Sequence, residues 1–103
     1  MVYVVVTMMI KDGRMEEFLS LCEKLRPLVL AEKGCHGYDY TREIASPLSM
    51  QEPTDSNRIT LVERWDSLEA LRAHGEAPHM KEIGSKMKDL RSSVIARVGQ
   101  SVF

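Results

Sequence analysis

His74 and His79 are the side chains in this sequence best suited to moving protons, because an unperturbed imidazole titrates near physiological pH. They stand five residues apart, with Gly75 and Pro78 between them. A continuous helix would set them on different faces, whereas a break in this stretch lets both approach one cleft. The plainer role for His74 is to close a short helix, where a cation meets the C-terminal end of the dipole favourably. Glu63 and Trp65 lie two residues apart on a strand-like segment and so share a side. If that side is enclosed, the carboxyl must be protonated, hydrogen-bonded or paired with an arginine or histidine, and proton transfer is its sharper role. Trp65, the one tryptophan, offers a flat wall for an aromatic ring and an N–H to donate, or else a plain core side chain. Tyr3, Tyr38 and Tyr40 bring hydroxyls to strand segments, where tyrosine is common in any case. Arg64 and Arg97 could face a developing oxyanion, although strand arginines usually face only solvent. Metal chemistry is not indicated: the histidines lack the zincin spacing and no third ligand is evident near them.

These groups need a scaffold, and the hydrophobic periodicity supplies one. Val2 to Ile10 predicts a strand with Val2, Val4, Val6 and Met8 on one side and Tyr3, Val5, Thr7 and Met9 on the other. Both sides are largely apolar, so both are expected to be covered. After the Lys11-Asp12-Gly13 turn, Met15, Phe18, Leu19, Cys22, Leu25 and Val29 recur at helical spacing. Pro27 predicts a kink or a weakened final turn, and Gly34 a stop. His36 to Ile44 reads as a second strand, residues 45–57 as a long loop with Pro47 and Pro53, and Arg58 to Trp65 as a third strand. Asp66 followed by Glu69 resembles a capping box that opens a short helix to about His74. Gly75 is expected to interrupt it, and Pro78 suits the first turn of a further helix striped by Met80, Ile83, Met87 and Leu90. Ser92 to Phe103 predicts the last strand.

The order β-α-β-β-α-β is the ferredoxin-like arrangement, an α+β fold on an antiparallel sheet. Helices cover one sheet face in this arrangement. The other, also apolar here, calls for a second copy of the chain, since two-fold homodimers are the commonest oligomers. No internal repeat or linker divides residues 1–103, which read as one domain. A chain of 103 residues buries only about 65% of its unfolded surface, which also favours pairing.

Composition narrows the function classes. Charged residues make up 28% and the net charge is −1, with basic residues dispersed, so an electrostatic footprint for nucleic acid or an anionic membrane is absent. No apolar run approaches the ~20 residues of a membrane helix. The Val-rich start lacks a basic leader and a small-residue cleavage site and suits a strand. Cys22 and Cys35 show no C-x-x-C or secreted framework, so reduced thiols and a cytoplasmic location are expected.

The segment Glu63-Arg64-Trp65-Asp66-Ser67-Leu68-Glu69-Ala70-Leu71-Arg72-Ala73-His74, followed by Ala77-Pro78-His79, resembles the signature of the antibiotic biosynthesis monooxygenase family. Gly34-Cys35-His36-Gly37-Tyr38 and the Lys11-Asp12-Gly13 helix entry resemble the same family. The resemblance implies a dimeric α+β barrel and a cofactor-independent monooxygenase. In such an enzyme a quinol, phenol or polycyclic aromatic is deprotonated in a dry cleft and its anion reduces molecular oxygen. No flavin, haem or metal is implied. His74, His79 and Glu63 are then the catalytic candidates, and Trp65, Tyr3, Tyr38, Tyr40 and Arg64 the substrate-binding ones. Isomerases of small oxygenated metabolites in the same superfamily, and a dimeric ligand-binding module without turnover, are the alternatives. Haem degradation is disfavoured: the stretch that would carry its axial histidine reads Glu82-Ile83-Gly84, and the first strand has valines and Thr7 where asparagine is needed. The 45–57 loop looks longer than the family's usual connection and is expected to reshape or lid the cleft.

Overall fold

The computed structural model describes all residues, 1–103. Its central strand is β1 (Val2–Ile10), which pairs antiparallel with β3 (Arg58–Trp65) on one side and β4 (Arg91–Gln100) on the other. β2 (Cys35–Arg42) pairs with the outer edge of β3, so the sheet order is β2-β3-β1-β4. Three helices complete the chain: α1 (Met15–Leu30), α2 (Leu68–Glu76) and α3 (Pro78–Lys88). This is the expected ferredoxin-like α+β arrangement, with its second helical region split in two. No helix is long and apolar enough to cross a membrane.

The register explains which side chains meet the helices. Val4 lies opposite Glu63 and Val2 opposite Trp65, while Tyr38 lies opposite Glu63 and Tyr40 opposite Leu61. Alternation then gives one face to Val2, Val4, Met8, Ile59, Leu61, Glu63, Trp65, Tyr38 and Tyr40. The α1 stripe of Phe18, Cys22, Leu25 and Val29 packs down onto that face and forms the core with it. Fully burying side chains of this size contributes about 1.5–3 kcal/mol each, which is why the stripe dictates where α1 lies. Strand β4 stays exposed, with Val94, Ile95 and Val98 each about half open to solvent or more, because it is an edge strand beyond the helices.

Several boundaries depart from expectation for local reasons. Strand β2 ends at Arg42, two residues before Ile44. The cap of α2 is Ser67, not Asp66: the Ser67 hydroxyl accepts the Ala70 N–H at 3.1 Å, while Asp66 pairs with His36. Gly75 remains helical, and the break falls at Ala77, whose ψ of 142° is extended. The ring of Pro78 forces that geometry on the residue before it. Pro27 sits inside α1 without ending it, the helix running on to Leu30. Strand β4 stops at Gln100, so Ser101 to Phe103 lie outside it.

Gly34 closes the turn between α1 and β2 at φ +86°, a left-handed conformation that glycine alone adopts freely. A side chain there would also strike α2, since an added Cβ would lie 2.7 Å from the Ala70 Cβ. This close approach sets the turn after α1 against α2.

Candidate active-site cavity

A cavity of about 520 Å³ opens between the helix-covered sheet face and the α2–α3 region. Its walls include Tyr38 and Tyr40 from β2, Glu63 from β3, His74 from α2, and Met80 and Met87 from α3. The volume lies in the range of small-molecule sites, and the lining is about half apolar, with charged side chains making up much of the rest.

Glu63 is buried, with its side chain against Trp65: the indole N–H donates to the carboxylate at 2.9 Å. The partner is therefore the neighbouring tryptophan, where an arginine or histidine was expected. Burial pushes the Glu63 carboxyl above its ordinary range, and the Trp65 N–H and the His74 imidazole offset this only in part. His74 is also buried and lies between two aromatic rings, 4.7 Å from Trp65 and 5.5 Å from Tyr38 between centroids. Its Nδ1 is 2.9 Å from Glu32 Oε2, and His79 Nε2 reaches the same oxygen at 2.7 Å. The break at Ala77 thus lets both histidines converge, but on a carboxylate that sequence reasoning missed. Glu32 sits in the turn after α1, and nothing in its local pattern marks it. Together with His74 and His79 it offers three potential metal-ligating atoms within 4.8 Å of one another, so the missing third ligand exists.

Burial pushes the phenols of Tyr38 and Tyr40 well above their usual range, so both hydroxyls stay protonated as donors. The two rings meet edge to face at 5.5 Å. Cys22 lies beneath Tyr40, and burial raises its thiol to about 12. Lys81, Lys88 and Arg91 also border the cavity, three cations the sequence reading passed over.

Three expected binding residues do not line it. Trp65 is completely buried and backs His74 from behind. Arg64 lies between Glu63 and Trp65 on β3, so alternation turns it to the open face, where it donates to the His36 carbonyl at 2.9 Å. Tyr3 is paired opposite Arg64 and shares that open face. Nor does any residue of the 45–57 loop border the cavity. The Glu43 carboxylate, ion-paired with Arg58 at 2.8 Å, accepts the Asp55 N–H and so anchors the loop at the far end of the sheet.

The family model described as antibiotic biosynthesis monooxygenase matches residues 1–85. Over 65 residues the chain is 38% identical to the "Probable quinol monooxygenase YgiN" of Escherichia coli strain K12. That match covers 63% of this chain and 62% of the relative, so it spans less than two thirds of the relative's length. Among solved structures, a conserved protein from Methanosarcina mazei Go1 superposes with a TM-score of 0.83 at 24% identity, over 97% of this chain and 91% of that one. Rv0793 from Mycobacterium tuberculosis does so with 0.83 at 22%, over 99% and 95%. At such identities the superpositions establish the fold.

Proposed function

The chain belongs to the antibiotic biosynthesis monooxygenase family, and on that premise we propose that it oxidises a quinol or related phenol with molecular oxygen, without flavin, haem or a catalytic metal. The observation that carries this reading is the meeting of a buried carboxyl, Glu63, and a buried imidazole, His74, on the wall of one aromatic-lined cavity.

The chemistry follows from how His74 is held. A neutral imidazole that donates Nδ1–H to Glu32 keeps its lone pair on Nε2, so the carboxylate selects the tautomer that can act as a base. A quinol hydroxyl gives its proton to that nitrogen, and Glu32 stabilises the resulting imidazolium. The phenolate is favoured by the protonated hydroxyls of Tyr38 and Tyr40 and by the nearby cations of Lys81, Lys88 and Arg91. Its electrons then pass to oxygen, and a ring C–O bond forms. Quinol plus oxygen yields hydroxyquinone plus water. One oxygen atom enters the ring, the other leaves as water, and the quinol supplies all four electrons, so no outside reductant is required.

The same reading includes a second copy of the chain on the open sheet face, where Tyr3, Val5 and Ile95 stand exposed at 41%, 41% and 62%. It also keeps the cytoplasmic location, supported by two unpaired thiols. A monomer in light scattering would overturn the pairing.

The reaction is tested by oxygen uptake against a panel of reduced benzo- and naphthoquinols. Uptake above autoxidation is expected, falling about 10²- to 10⁴-fold in His74→Ala. In Glu32→Gln the pH profile of the residual rate is expected to shift, which a merely structural Glu32 would not produce. No uptake with quinol binding intact would overturn the oxygenase and leave an isomerase or a binding module.

A further inference from the structure

We propose that Glu32, His74 and His79 form a binding site for one divalent transition-metal ion of the zinc or cobalt class. Two imidazole nitrogens and one carboxylate oxygen are the donor set such borderline ions take, whereas magnesium and calcium prefer oxygen alone. The donors come from three places in the chain: the α1–β2 turn, the last turn of α2 and the first turn of α3. They nevertheless lie within 4.8 Å of one another, with both nitrogens aimed at Glu32 Oε2 at 2.9 and 2.7 Å. Tetrahedral ligands at about 2.0–2.2 Å lie about 3.4 Å apart, so an ion enters when Glu32 Oε2 draws back from both nitrogens by about half an ångström and the two nitrogens, which lie within 4.8 Å of each other, close to a similar spacing.

The surroundings are those of a built site. The side chains of His74, Glu32 and His79 are only 7%, 13% and 18% exposed. The Glu32 backbone is held on both sides, its N–H on the Val29 carbonyl and its own carbonyl on the Cys35 N–H. No lysine or arginine pairs with Glu32; its ion-pair partners are the two imidazoles alone. A purely hydrogen-bonded clamp requires each facing nitrogen to carry a proton; when an ion binds there, that proton moves to the other ring nitrogen, and the carboxylate offsets one of the ion's two charges. His36 and Asp66, the other histidine–carboxylate pair, are exposed and have no third donor in the cluster.

The ion is not the catalytic centre of the reaction proposed above. Bound at His74 Nδ1, it leaves the neutral ring with its proton on Nε2, and the lone pair needed for a base is gone. Occupation would therefore silence that reaction. This consequence rests on His74 being the base; the binding does not.

The test is titration of the tag-free, chelator-treated full chain with Co²⁺ and Zn²⁺, which requires no turnover. One ion per chain is expected, with visible Co²⁺ bands and Zn²⁺-induced shifts of the His74 and His79 imidazole resonances but not those of His36. In His79→Ala and Glu32→Gln, each checked for native circular dichroism, affinity should fall about a hundredfold or more, while His36→Ala binds as the parent does. Absence of binding up to about 100 µM ion would overturn the site, since that is a weak affinity for a three-ligand centre. Zn²⁺ shifts confined to His36 would overturn it equally, and that result does not depend on any variant folding.

Discussion

Oε2 of Glu32 lies 2.9 Å from Nδ1 of His74, although 42 residues separate the two in the chain. The contact joins the turn after α1 to the last turn of α2, and through His79 it also holds the start of α3. Glu32→Ala removes the acceptor of two buried or half-buried imidazole donors. A loss of about 2–6 kcal/mol in urea unfolding is expected, from about 1–3 kcal/mol per orphaned donor. Glu32→Gln, which retains an acceptor oxygen, should lose less than half as much. Equal losses in both variants would show that the carboxylate charge, not its acceptor capacity, holds these elements together.

Glu63 makes stability depend on pH in a defined direction. Burial raises its folded pKa above the unfolded value, so the folded chain holds that proton more tightly. The stabilisation is complete below the ordinary carboxyl range and is lost as pH rises through the raised folded value. Glu63→Gln does not titrate and keeps an oxygen for the Trp65 N–H. Its stability relative to the parent should therefore improve from about pH 4 to about pH 7, as read from urea midpoints. A difference that is flat or shrinks with pH would mean that the carboxylate is better stabilised than its burial allows.

Gly13 and Gly34 share a positive φ, at 76° and 86°, but only one is crowded. Gly13→Ala meets no neighbour and should cost about 1 kcal/mol for the left-handed backbone alone. Gly34→Ala adds a 2.7 Å collision with Ala70, worth about 1–3 kcal/mol more as overpacking. Thermal unfolding of the two variants side by side checks the order. Similar losses would show that α2 can slide away from the turn.

Cys22 and Cys35 should differ sharply towards a thiol reagent in the native protein. Cys22 is buried beneath Tyr40, and its thiol is raised to about 12, so it has little thiolate at mildly alkaline pH. Cys35 is only half-buried, although burial raises it too. One fast thiol is expected, lost in Cys35→Ser, with Cys22 reacting at least about tenfold more slowly until the chain is unfolded. Two fast thiols would indicate that α1 opens readily from the sheet.

Much of the scaffold was legible from local pattern. Alternation marked β1 and β3, helical spacing marked the α1 stripe, and Pro78 marked the start of α3, because each signal repeats within a few residues. The same alternation already separates Arg64 from Glu63 and Trp65, so its turn to the open face was readable; Tyr3 follows only once β1 is paired with β3 in the observed register. His74 and Glu63 were identifiable as titratable side chains near one strand-to-helix junction. Their company was not. Glu32 carries no local signal, since its role depends on Gly34 letting the turn after α1 approach α2 and on Ala77 turning His79 back beside His74. Whether Trp65 faces a ligand or backs a histidine likewise depends on how α2 lies over the sheet. Periodicity is a property of neighbours along the chain and therefore determines faces and elements. Which charged and aromatic groups meet, and what pKa results, depends on long-range packing that only the folded chain decides.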